Sequence, residues 1–64
     1  MMELKEVGDY VTKEEQGLLT LWQQVVLAAL RKYGSAKQAS SQLHRDQVAI
    51  RMMMMRIRKR GVRL

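Results

Sequence analysis

The sequence predicts a small all-α domain of three helices, a long first helix followed by a pair of shorter ones. Three observations lead there. The chain has 64 residues with no Pro, no Cys and no Phe, and it is rich in helix-forming Leu, Ala, Gln, Glu and Arg. Its apolar residues recur at three- and four-residue spacings rather than alternating. Its Ser, Thr, Asp and Gly residues stand where helices start and stop.

Residues 1–11 show no clear period, and Gly8-Asp9 reads as a turn, so this stretch is expected to be a linker or a loosely docked arm. Residues 12–64 form the domain. The first helix is expected from Thr12 to Tyr33. Thr12 and Glu15 have capping-box spacing, in which each side chain covers an amide of the other. Gly17 weakens the first turn by up to ~1 kcal/mol relative to Ala, so the start could slip to Thr20. Leu18, Trp22, Val25, Ala29 and Tyr33 line one face, and Leu19, Val26 and Leu30 an adjoining one. That arc is wider than one small core requires. Its surplus suits either a homodimer interface through Leu19, Val26 and Leu30 or a thicker core within one chain.

Gly34 ends the first helix, since glycine reaches φ > 0 at little cost. Ser35 then caps a second helix, Ala36 to Leu43, with Gln38 at the capping-box partner position. After a short turn at His44-Arg45, Asp46 caps the third helix. Ile50, Met54 and Ile57 give that helix a core stripe, and Gly61 ends it. Four consecutive Met, 52 to 55, cover about 300° of helix and cannot all be internal. Met53 and Met54 are assigned inward, Met52 and Met55 outward.

The charge is divided along the chain. Residues 1–30 carry Lys5 and Lys13 against five carboxylates, a net of −3, whereas residues 31–64 carry ten Lys or Arg against Asp46 alone, a net of +9. Such a split points to a polyanionic partner on one side of the molecule. Two short helices joined by a tight turn, the second loaded with cations, describe a helix-turn-helix. In that arrangement the third helix enters the DNA major groove. Gln47, Val48, Arg51, Met52 and Met55 then face base edges, where Gln suits adenine, Arg guanine, and Val or Met the thymine methyl. Ser35, Lys37, Arg45, Arg56, Lys59, Arg60 and Arg63 are placed to hold phosphates.

Other functions fit less well. The chain offers no paired carboxylates, nucleophile–base set or glycine-rich phosphate loop, so no enzyme is expected. A lone His and no Cys leave no metal site, and no cofactor is expected. Tyr10, Trp22 and Tyr33 are not interleaved with the cations as RNA stacking would require. No apolar run approaches the ~18 residues of a membrane span, and no secretion leader is visible, which points to the cytoplasm. The alternative is a protein-interaction (adaptor) module that uses the apolar stripe of the first helix and the Met-rich third helix.

The residues also resemble a known family. Lys32-Tyr33-Gly34-Ser35, Lys37-Gln38-Ala39-Ser40, Leu43 and Ala49-Ile50 resemble the Fis-type helix-turn-helix that closes bacterial enhancer-binding activators, of which TyrR-like regulators carry a relative. Trp22 to Tyr33 is similar to the helix before that motif, and Ile57 to Val62 to its ending. The resemblance covers about residues 20–62. It departs at the turn, where His44 stands in place of the family's glycine and Arg45 in place of an aliphatic residue. The final glycine falls three residues late, which lengthens the third helix by about one turn. The resemblance implies a nucleoid-associated dimer that reads an inverted repeat and belongs to a longer transcription regulator.

Overall fold

The computed structural model describes residues 4–64, and among these all regular secondary structure is helical, without a strand. A 3-10 turn at Leu4–Glu6 leads into α1 (Val7–Tyr10), followed by α2 (Lys13–Leu18), α3 (Leu21–Tyr33), α4 (Ala36–Leu43) and α5 (Gln47–Lys59). Five helices therefore stand where three were expected, and both additional ones lie before Leu21.

The expected first helix is interrupted at Leu19 and Thr20, whose backbones are extended. Two capping boxes explain the break. Glu15 N–H donates to Thr12 Oγ1 at 3.1 Å while Thr12 N–H donates to Glu15 Oε1 at 3.0 Å. Thr20 and Gln23 repeat the arrangement at 3.2 and 2.9 Å, so a second helix starts there. Gln24 Nε2 then bridges the junction, donating to the carbonyls of Gln16 and Leu19. Those carbonyls would otherwise be orphaned at the end of α2.

The core is built around α3, against which α1, α2, α4 and α5 all pack. Val26 to Leu30 are five consecutive buried residues, so this helix is enclosed on most of its circumference. Leu19, Val26 and Leu30 are all buried within the single chain. The homodimer seam assigned to them is thus corrected: their apolar surface already lies against Val7, Val11, Ala39, Leu43, Ile50, Ile57 and Val62 in one cluster. Leu18 and Trp22, expected on one apolar face with Val25, Ala29 and Tyr33, are exposed.

The N-terminal stretch also departs from expectation. Residues 1–3 of the expected arm lie outside the described residues, but Val7 and Val11 are buried core residues rather than parts of a loose linker. Arg31 fixes this segment. Its guanidinium donates to both carboxylate oxygens of Glu15 at 2.7 Å, to the Tyr10 carbonyl at 2.6 Å and to the Arg63 carbonyl at 3.2 Å. One side chain thereby joins α1, α2 and the C-terminal tail to α3, with the bidentate geometry that suits Arg to carboxylate. Lys32 Nζ adds a 2.6 Å bond to Glu6 Oε2.

Candidate nucleic-acid interface

The α4–α5 pair is set by three local devices. Gly34, at φ 87°, closes α3, and its N–H donates to the Leu30 carbonyl. Ser35 Oγ then accepts from Gln38 N–H at 3.2 Å and starts α4 in a new direction. His44, at φ 55° and ψ 42°, is the left-handed C-cap of α4, with its N–H directed to the Ser40 and Ser41 carbonyls. Asp46 Oδ1 accepts from Val48 N–H at 3.3 Å and starts α5. Only His44, Arg45 and Asp46 separate the two helices. Small Ala39 and Ser40, both buried, let them approach closely.

Burial fixes the rotation of α5. Ile50 and Ile57 are buried, with Met53 and Met54 half-buried against the core. Gln47, Val48, Arg51, Met52 and Met55 fall on the opposite side of the helix. Their spacing of one, three, one and three residues keeps them within one continuous face. Val48 (62%), Met52 (51%) and Met55 (60%) are more than half exposed, Arg51 is exposed, and Gln47 is half-buried at the first turn. The four methionines divide as the helical period requires.

Lys37 lies in the first turn of α4, Arg45 in the turn, Arg56 and Lys59 late in α5, and Arg60 and Arg63 beyond it, all exposed. Ser35 and Arg58 are exposed as well. Lys37, Arg45, Arg51, Arg56, Arg58, Lys59, Arg60 and Arg63 have no carboxylate partner among the described residues. Those side-chain carboxylates that do form ion pairs, Glu6 and Glu15, are held by Lys32 and Arg31 of α3. The Arg31 guanidinium lowers the Glu15 carboxyl from its ordinary value to about 2, helped by the Thr12 amide. Lys32 lowers that of Glu6 in the same sense. The acidic half of the sequence thus neutralises cations of α3, and the positive charge of α4 and α5 is left facing solvent.

Two features of this region escaped the sequence reading. Trp22 lies beside the α4–α5 turn, with the Arg45 guanidinium 5.1 Å from its ring centroid, a cation–π contact. Ala49 is exposed on α5 between the reading face and α3. The Thr20–Gln23 capping box was the available signal, since it resets the helix and turns Trp22 outward. Among the described residues no helix is long and apolar enough to cross a membrane. The sequence matches no family model, no curated protein and no solved structure.

Proposed function

We propose that this chain is a sequence-specific double-stranded DNA-binding module of a bacterial, cytoplasmic transcription regulator, with α5 in the major groove. One observation carries the proposal: a single face of α5 offers base-reading side chains, and the exposed cations of α4, α5 and the tail have no carboxylate partner among the described residues. DNA supplies both complements, base edges in the groove and phosphates along its margins.

In this reading Gln47 and Arg51 make the polar base contacts, one turn apart near the start of α5, where recognition helices meet base edges. Val48, Met52 and Met55 provide apolar contacts for thymine methyl groups. Ser35 and Lys37 bring the start of α4 to one phosphate run, while Arg45, Arg56, Lys59, Arg60 and Arg63 hold others. No metal or cofactor takes part in these contacts. A homodimer belongs to the proposal too, with exposed Leu18 and Leu21 as the apolar side chains free to form it.

Selection of bound sites from a random duplex pool tests both parts. A homodimeric reader enriches an inverted repeat with half-sites one helical turn apart. A single unrepeated half-site would remove the dimer from the proposal, and recovery of unenriched DNA would remove sequence reading altogether.

A further inference from the structure

A groove of about 400 Å³ lies between the start of α3 and the middle of α5, beside the proposed reading face. Buried Ile50, half-buried Met53 and the methyl of Ala49 line it, with half-exposed Trp22 and Met52 as further apolar surface. Arg45 and Arg56 complete its lining. The groove therefore combines five apolar residues with two guanidinium groups, and neither guanidinium has a carboxylate partner among the described residues.

This combination differs from what a phosphate backbone requires. Phosphates need cations and amide donors but supply no apolar anchor, so Trp22, Ile50 and Met53 would gain nothing from them. An apolar side chain flanked by carboxylates satisfies every lining residue at once. Its alkyl group would displace water from the Met and Trp surface, and its neighbouring carboxylates would meet Arg45 and Arg56. Methionine adapts its shape to such an anchor at little cost. The cation–π contact holds Arg45 at the groove before anything binds, which limits the ordering needed on association.

We propose that the Trp22–Met52 groove is a docking site for an acidic polypeptide segment anchored by a Leu-like side chain. Arg45, Arg56 and Met52 are shared with the proposed DNA face, so the segment and duplex DNA exclude one another. That competition rests on the DNA-binding proposal, whereas docking of the segment does not.

Trp22 is the single tryptophan of the chain, so its fluorescence reports the groove directly. The probe is a synthetic helical peptide of about a dozen residues, rich in Asp and Glu, with Leu at i and i+4 and no aromatic residue. Titrated into the full chain, it is expected to shift Trp22 emission to shorter wavelength and to saturate. The same peptide with Leu replaced by Ser, and polyglutamate of equal length, should bind at least ~10-fold more weakly. Ala49→Gln, which fills the groove with a neutral helix-compatible side chain, should weaken the peptide about tenfold and change duplex affinity less than about twofold.

Equal binding of polyglutamate would overturn the proposal in favour of surface charge alone. An emission shift that follows protein concentration without peptide would give the groove to a second copy. A duplex whose affinity falls with Ala49→Gln as the peptide's does would make the groove part of the DNA interface. Duplex binding with no peptide response overturns the docking site only, and peptide docking with no duplex binding overturns the DNA proposal only.

Discussion

His44 is the one residue other than glycine with a positive φ among the described residues, and it occupies the turn between α4 and α5. An L side chain in this left-handed conformation costs roughly 1–2 kcal/mol, although His is among the more tolerant types. Glycine removes that strain but gains freedom in the unfolded chain, which offsets about 0.4–1 kcal/mol. His44→Gly is therefore expected to stabilise the domain by up to about 1 kcal/mol, a rise in Tm of ~4–8 °C by thermal denaturation. A lower Tm would show that the imidazole makes a compensating contact. Glu15 gives a second prediction at this scale. Its carboxyl is held at about 2 in the folded chain against an ordinary 4.5, so it favours folding fully above pH 4.5 and loses that contribution as pH falls toward 2. The Tm of the native chain should drop across that interval, and Glu15→Gln, less stable at neutral pH, should show a shallower drop. Parallel curves would mean that the Arg31 pair adds no net stability. Thr12 and Glu15 were legible as a pair from their spacing; Arg31, sixteen residues further on, was not, because only the folded topology brings it to Glu15.

Among the elements, α4 and α5 were the most legible. Their caps and apolar periods agree with one another: Gly34 closes the preceding helix, Ser35 and Asp46 start α4 and α5, and Gly61 follows the end of α5, in sequence and in structure alike. The region before Leu21 was less so. Its apolar residues keep a helical spacing through Leu18, Trp22 and Val25, and this regularity hides the interruption at Leu19 and Thr20. The Thr20–Gln23 box prevails because it satisfies two amides at once, and the turn it creates delivers Leu19 to the core while leaving Leu18 and Trp22 outside. α1 was invisible as an element because four residues are too few to show a period; its place is fixed by the burial of Val7 and Val11. The proposed roles within α5 separate reading from gripping. Arg51 lies one turn into the helix and Arg60 just past its end. Arg51→Ala is expected to cost about 1–3 kcal/mol on the selected duplex and to relax discrimination at one base pair. Arg60→Ala should weaken selected and scrambled duplexes alike. Equal losses on both duplexes for Arg51→Ala would reduce α5 to a non-specific clamp.

For the molecule as a whole, the division of charge in the sequence becomes a division in pairing. Glu6 and Glu15 pair with Lys32 and Arg31, which leaves eight cations from Lys37 to Arg63 without a carboxylate among the described residues. A fold stabilised for its own sake would have interspersed the two signs. This one accepts mutual repulsion across α4 and α5, and a polyanion relieves it. The measurement that tests this most directly is the affinity for a selected duplex over a series of monovalent salt concentrations. Neutralised phosphates release their counterions, so log affinity falls linearly with log salt at about −0.9 per phosphate. A slope of roughly −4 to −7 is expected, which corresponds to ~4–8 phosphates held by a dimer. An affinity that does not change with salt would contradict it and leave the exposed cations of α4 and α5 without a nucleic-acid role.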